Sequence, residues 1–378
     1  MARIRKPDLP QKDETATQRY HNRFKDMLSN IELAELLARQ AEHETGILAR
    51  AFRRAARSAF LWPEQVVDLA EQNRSLSELR SIGPFIEKQI RRWLDNPPPR
   101  KRPPVIRADF ISLADAKTSL AKNPEWAKQL RGDLQMHTRW SDGSGTVADM
   151  ADAAAARNYE YIAITDHSKG LKIAGGIDER ALEKQGREIA KLNRANSKRS
   201  NVTVLRSIEV NLNPRGEGDM KPESLRMLDL VLGSFHSALR KTEDQTARYL
   251  AALRNSCVHI LGHPRGRIYN FRMGLRADWP RVFAEAARLD KAVEIDCYPD
   301  RQDLNVGLLK LARTAGACIS LGTDGHHPWQ LEFIELGLAA ALLSKIPAQR
   351  ILNFMPLNRL TEWASKNREQ LVNGGFLV

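Results

Sequence analysis

From residue 132 onward, short runs rich in β-branched and apolar residues alternate with helical stretches, which restricts the chain to repeated βα units on a parallel sheet or barrel. The runs cover residues 133–136, 161–165, 202–208, 228–234, 257–261, 292–297 and 317–321. Helical periodicity falls between them at 147–157, 179–195, 244–253, 279–289, 306–314 and 331–343. Seven such units predict an α/β fold closed, or nearly closed, into a barrel.

The residues that follow each run are the second constraint. His137 and Asp142 come after the first, Asp166 and His167 after the second, and Glu209 after the third. His236 follows the fourth, His263 the fifth, and Asp324 and His326 the seventh; the sixth, ending at Cys297, has no such neighbour. C-terminal strand ends of an α/β barrel meet on one rim, so these dispersed side chains can converge. Imidazole with carboxylate suits zinc, manganese or iron, and no paired thiolates mark a structural zinc knuckle. Two or three ions held ~3.5–4 Å apart could activate a water and neutralise the oxygens of a phosphate ester during hydrolysis, with Glu209 as the natural bridging ligand. Arg265, Arg267 and Arg301 fall on the same rim, where each could grip a phosphate or make an ordinary ion pair. His259 and His327 read as structural, Cys297 as core, and Asp166 as a residue that orients its neighbours.

Upstream, the stretch Asn96-Pro-Pro-Pro-Arg-Lys-Arg-Pro-Pro104 cannot continue a helix and marks a domain boundary. We divide the chain into a flexible N-terminus (1–16), a helical domain (17–95), a Pro/Arg-rich linker (96–107) and the barrel (108–378). In the helical domain Ile31, Leu33, Leu36 and Leu37 share one face, and Ile47, Leu48, Phe52, Ala55, Ala56 and Phe60 another. The chain carries 59 basic against 46 acidic residues, and residues 1–107 alone hold 21 against 14, so half the excess sits in little more than a quarter of the length. That balance favours anionic partners, nucleic acid above all. Three cysteines without CxxC spacing argue against a disulfide framework, and no apolar run is long enough for export or membrane spanning, so a cytoplasmic protein with no membrane partner is expected.

The rim motifs read Gly132-Asp-Leu-Gln-Met-His-Thr138 with Ser141-Asp-Gly143, Ile164-Thr-Asp-His-Ser168, Ile208-Glu-Val210, Gly233-Ser-Phe-His236, Gly262-His-Pro264 and Thr323-Asp-Gly-His326. In type and order they resemble the PHP (polymerase and histidinol phosphatase) metallophosphoesterases, in the variant attached to bacterial and archaeal family X DNA polymerases. The resemblance implies a distorted, TIM-like (β/α)7 barrel holding two or three divalent ions, manganese, zinc or iron. Position by position it implies one ion on His137, Glu209 and Asp324, a second on Glu209, His236 and His263, and a third on Asp142, His167 and His326. The family opens on His-x-His, and Gln135 stands where the first histidine belongs; an amide oxygen there would be a weak ligand for a hard cation. Glu209, Arg265 and Arg301 are the expected catalytic set.

The segment Leu76-Ser-Glu-Leu-Arg-Ser-Ile-Gly-Pro-Phe-Ile-Glu-Lys-Gln-Ile90 resembles a helix-hairpin-helix, with Ser81 in place of the usual first glycine. It implies DNA contacts at Ile82, Gly83, Lys88, Arg91 and Arg92. The interval between Ile90 and Arg131 is too short for a polymerase palm, so no polymerase activity is expected. The expected function is a metal-dependent phosphoesterase acting on DNA in repair: a 3′-5′ exonuclease, 3′-end processing or abasic-site cleavage, on single-stranded, gapped or 3′-end substrates. The alternatives are a small-molecule phosphatase of the histidinol-phosphatase type and a catalytically inactive DNA-binding protein.

Overall fold

Ser29 opens the first helix with a capping box: its side chain accepts from the Glu32 N–H, and Glu32 accepts from the Ser29 N–H at 2.8 Å. The computed structural model describes residues 28–196 and 202–373; the expected flexible segment 1–16 and the start of the helical domain lie outside them. Helix α1 (Asn30–His43) packs against α2 (Gly46–Ser58), followed by the short α3 (Val66–Glu71) and by α4 (Pro84–Asp95). Pro84 at the first position of α4 has the fixed φ that a helix start requires. Leu33, Leu37, Phe52, Phe60, Trp62, Leu69, Ile86 and Ile90 form one buried cluster. Ile47 and Leu48, expected beside Phe52, lie exposed in the first turn of α2.

The second body is an α/β barrel of short parallel strands: β1 (Gly132–Asp133), β2 (Tyr161–Ile164), β3 (Thr203–Arg206), β4 (Glu209–Asn211), β5 (Leu232–Ser234), β6 (Ile260–Leu261), β7 (Ala292–Asp296) and β8 (Cys318–Gly322). The ladders run β1-β2-β3 and β4-β5-β6-β7-β8. Strands β3 and β4 are halves of one stave, since the carbonyls of Arg206 and Ile208 both accept from the β5 segment, at 2.8 Å from Asp229 and 3.0 Å from Leu232. The ring returns from β8 to β1 through Leu134 N–H to Leu321 O at 3.2 Å and Asp324 N–H to Gln135 O at 3.1 Å. The result is seven staves in the places the sequence predicts, with the six expected helices between them. Outside the expected alternation lie the helices Leu113–Ala121 (packed against Ile334–Leu343), Pro124–Ala127 and Pro222–Arg226 and, the longest of them, the C-terminal Leu357–Asn373. The last seals one barrel end, placing Leu360 and Trp363 against Leu134, Tyr161, Leu232, Ile260 and Ala292. The opposite end stays open to the rim. Among the described residues no helix is long and apolar enough to cross a membrane, and all three cysteines are buried and unbridged.

The proline-rich linker is clamped, not free. Arg107 is buried and pairs with Glu35 at 2.8 Å and Glu42 at 2.5 Å on α1, while donating to Asn270 of a barrel loop at 3.1 Å. Tyr269 of the same loop enters the helical cluster, 4.8 Å from the Phe60 ring and 5.4 Å from Phe110. Buried aromatics dominate such junctions, and deleting one leaves a cavity. Tyr269→Ala should therefore lower stability by about 3 kcal/mol in urea denaturation and separate the unfolding of the two bodies into distinct transitions.

Candidate metal centre

Side chains alternate along a strand, so the parity that fills the barrel also decides what reaches the rim. Leu230 and Leu232 share a face with Ser234 and His236; Tyr161 and Ala163 share one with Thr165 and His167; Ala292 shares one with Glu294 and Asp296. The lower positions are apolar and the upper ones are potential ligands.

Glu209, the first residue of β4, lies at the centre and is buried. Its Oε1 is 2.7 Å from His263 Nε2 and 3.4 Å from His236 Nε2. Its Oε2 is 3.0 Å from His167 Nδ1 and 3.6 Å from His137 Nε2. His137 Nε2 also lies 2.9 Å from Asp324 Oδ1. Beyond them the more exposed Asp142 stands 3.4 Å from His326 Nε2 and 3.7 Å from His167 Nε2. His137, Asp142, His167 and His326 thus form one group that could hold an ion, and His167, Glu209 and His236 another. All eight histidines and carboxylates expected at the rim are brought together.

The donors are also prepared for a cation. His236 Nδ1 meets Asn211 Oδ1 at 3.2 Å and His326 Nδ1 meets the Asp324 carbonyl at 2.7 Å, so each ring can donate on its outer side and turn Nε2 inward. His137 Nε2, His167 Nδ1, His236 Nε2 and Glu209 Oε2 are buried and make no hydrogen bond of ordinary geometry among the described residues. Buried polar atoms without partners are costly, and a divalent ion satisfies them together. His263 and Asp324 hold left-handed backbone at φ 24° and 51°, strain that aims both side chains inward. Asp166 fixes the first loop, accepting from Thr138 N–H at 2.8 Å, Ser141 Oγ at 2.5 Å and Gln185 Nε2 at 2.6 Å; it orients neighbours, as its reading predicts.

Burial opposes charge on Glu209, yet His236, His167 and His263 hold its carboxyl well below the usual range. Burial likewise works against Asp324, which Arg301 and His137 keep low. On the imidazole side, burial is outweighed by Glu209 at His263 and by Asp142 and Asp324 at His326, and both are pushed up to about 9. Without metal these two rings therefore carry protons at pH 7 that a metal must displace.

Gln135 is a correction. Oriented by its partners, its amide Nε2 donates to Glu294 Oε1 at 2.6 Å and Oε2 at 2.9 Å, so it serves a buried carboxyl instead of standing as a ligand. Glu294 also accepts the His263 N–H at 2.7 Å. Gly322 lies against this pair, and a Cβ there would sit 2.3 Å from Glu294 Oε1. Glu294 and Asp296 were missed because the sixth run reads as a buried apolar strand; two carboxylates spaced by two on one strand face was the available signal. Arg301 pairs with Asp324 and reaches Asp296 at 3.4 Å, which places it on the rim. Arg265 is only partly committed, donating to the Met273 carbonyl at 2.9 Å. For Arg267, left open between a phosphate grip and an ion pair, the structure shows neither: it is buried, stacks 4.0 Å from the Phe110 ring and donates to the carbonyls of Arg301, Asp109 and Gln302, so no phosphate can reach it. His259 accepts the Val231 N–H at 3.1 Å, a structural role, and His327 caps the Pro328–Phe333 turn.

In the helical domain the arm before the expected hairpin is the single 3-10 turn Leu76–Glu78, not a full helix. Ser81 takes the left-handed turn at φ 65° where glycine is usual. Ile82 is buried in the helical core and Arg91 is tied to Glu87 at 2.8 Å and to the Arg74 carbonyl, which leaves Gly83, Lys88 and Arg92 accessible.

The PHP domain is matched over residues 133–297, with Asp324 and His326 beyond it. The chain is 32% identical over 240 residues to the DNA polymerase/3′-5′ exonuclease PolX of Bacillus subtilis, covering 63% of this chain and 42% of that protein. It is 32% identical to a probable phosphatase of Photobacterium profundum, covering 51% of this chain and 77% of that protein. The solved histidinol phosphate phosphatase of Lactococcus lactis, complexed with zinc, L-histidinol and phosphate, superposes with a TM-score of 0.41 at 17% identity, covering 56% and 93% of the two chains. The chain belongs to the PHP family of metal-dependent phosphoesterases.

Two outcomes follow from the site. Because His263 and His326 must lose protons, metal uptake at pH 7 releases them, and affinity rises with pH toward 9 and falls below it; calorimetry in buffers of different ionisation enthalpy measures the release. Glu209→Gln removes the carboxylate that faces four imidazoles, and the expected loss of bound manganese or zinc is read by elemental analysis while circular dichroism stays unchanged.

Proposed function

We propose that this chain hydrolyses phosphate esters in DNA, at 3′ ends or abasic sites, with two or three divalent ions held by His137, Asp142, His167, Glu209, His236, His263, Asp324 and His326. The observation that carries this reading is that the helical domain, which belongs to the strongly basic first part of the chain, is clamped by Arg107 and Tyr269 onto a loop of the rim that bears these ligands. Bound divalent ions supply Lewis-acid polarisation and charge neutralisation at a phosphoryl group. The protein's own part is to fix the donors through Asn211 and the Asp324 carbonyl, and to present Arg301 to a phosphoryl oxygen. Arg301 is permanently charged: burial lowers its basicity, but Asp324 and Asp296 raise it further.

A small-molecule phosphomonoesterase is the second reading, favoured by the Photobacterium relative, of which this chain spans the larger part. An inactive binding protein is less well supported, because Gln135 has its own partner and the other eight positions stand together.

The test is hydrolysis of a 3′-labelled single strand beside p-nitrophenyl phosphate, with manganese or chelator. Manganese-dependent shortening of the strand is expected, and His236→Ala should lower its rate on the order of 100-fold, about 3 kcal/mol of lost transition-state stabilisation. Turnover of the small ester alone would favour the second reading; DNA binding without turnover of either would leave a binding protein.

A further inference from the structure

Helix α2 places Arg50, Arg53, Arg54 and Arg57 at i, i+3, i+4 and i+7, one face of the helix, and all four are exposed. That face does not look into open solvent. It forms one wall of a groove of about 530 Å³ between the helical domain and the barrel rim. Arg80 adds a fifth guanidinium, 5.1 Å from the ring centre of Trp329, which is 40% exposed. Asp300 is the one carboxylate among the lining residues. None of these five arginines makes an ion pair at hydrogen-bond distance among the described residues, unlike Arg74, Arg91 and Arg107 of the same domain.

The groove also leads to the metal centre. Tyr298 and Gln330 line it. Arg301, which pairs with Asp324, lies 5.3 Å from the Tyr298 ring, and Gln330 accepts the His326 N–H at 2.6 Å. An array of arginines spanning roughly 10 Å of helix matches about three successive phosphates of one strand, and an exposed indole beside it can stack an unpaired base. The geometry points to this groove as the track of a single-stranded nucleic acid: the α2 arginines hold its phosphates, Trp329 stacks a base, and the strand end lies at the rim beside Arg301. This rests on the DNA reading above and assigns its binding surface to the face of α2, not to the hairpin before α4.

The test compares manganese-loaded wild type with Arg53→Ala/Arg54→Ala, an exposed change to a good helix former. A fluorescent phosphorothioate oligothymidylate serves as a strand that binds and resists cleavage. The double variant should bind about tenfold more weakly at 0.1 M salt, and its slope of log affinity against log salt should fall by about 1.4, two phosphates' worth. Trp329→Ala should weaken binding about tenfold with the slope unchanged. Turnover of p-nitrophenyl phosphate by all variants should match wild type. A control, Arg180→Ala/Arg187→Ala on the exposed surface of the helix Glu179–Asn196, should bind as wild type. If wild type binds the strand with a steep salt slope and Arg53→Ala/Arg54→Ala is indistinguishable from it, the groove is overturned while the DNA reading stands. If wild type turns over the small ester and binds no strand, the DNA reading itself fails and takes the groove with it.

Discussion

Glu209 is a carboxylate in the interior of a barrel, and the rest of the rim is arranged around the need to compensate it. Burying a charge without partners costs several kcal/mol, yet Glu209 faces imidazoles from four different stave ends. Meeting that requirement sets the relative heights of the staves, because each histidine must arrive level with the same two oxygens. It also explains why the ring of strands can be so short. The backbone ladders hold two to five residues apiece, and the polar cluster above them supplies the remaining constraint on register. Protons on His263 and His326 meet part of the charge without metal; cations replace them.

The helical domain and the centre are built on the same two loops. Tyr269, in the loop after β6, enters the helical core, and Arg267, two residues earlier, donates to the backbone carbonyl of Arg301 at 2.7 Å in the loop after β7. Arg267 also holds the carbonyl of Asp109, two residues past the linker. The position of the rim arginine and the position of the helical domain therefore depend on one buried guanidinium, whose burial brings it down to about 10.

Most of the barrel was legible because its two signals are local. A β-branched run followed by a histidine or acid fixes both a stave and the end of it that carries chemistry, and six of the seven runs carry that mark, enough for the fold and for the eight histidines and carboxylates that meet. The failures share a physical cause: each depends on a partner distant in sequence. Gln135 reads as a defective ligand until Glu294, distant in sequence but separated from it in the ring only by β8, is seen to take its amide protons. Arg267, open to either reading by its spacing, is consumed by four backbone carbonyls. The α2 arginines have helical spacing that marks only a solvated face, and their significance arises from the rim placed opposite them. The helix Leu357–Asn373 was overlooked because its one apolar stripe packs against a barrel end that periodicity cannot locate.

Gln135 and Glu294 are best understood as one unit. The upper barrel holds Glu209, Glu294, Asp296 and Asp324, four buried carboxyls, against one guanidinium and the histidines. Burial raises Glu294 well above the usual carboxyl range, with Asp296 adding to it, so it stays neutral more readily than Glu209, which has imidazoles around it. A carboxyl with no cation beside it needs hydrogen-bond partners instead, and the Gln135 amide with the His263 N–H supplies them. Gly322 leaves the space in which the two side chains meet. Gln135 thus places an amide where an imidazole would be a metal donor, and that amide supports a carboxyl that also holds the backbone of His263. The change at Gln135 and the support of the His263 backbone therefore run through the same hydrogen-bonded pair.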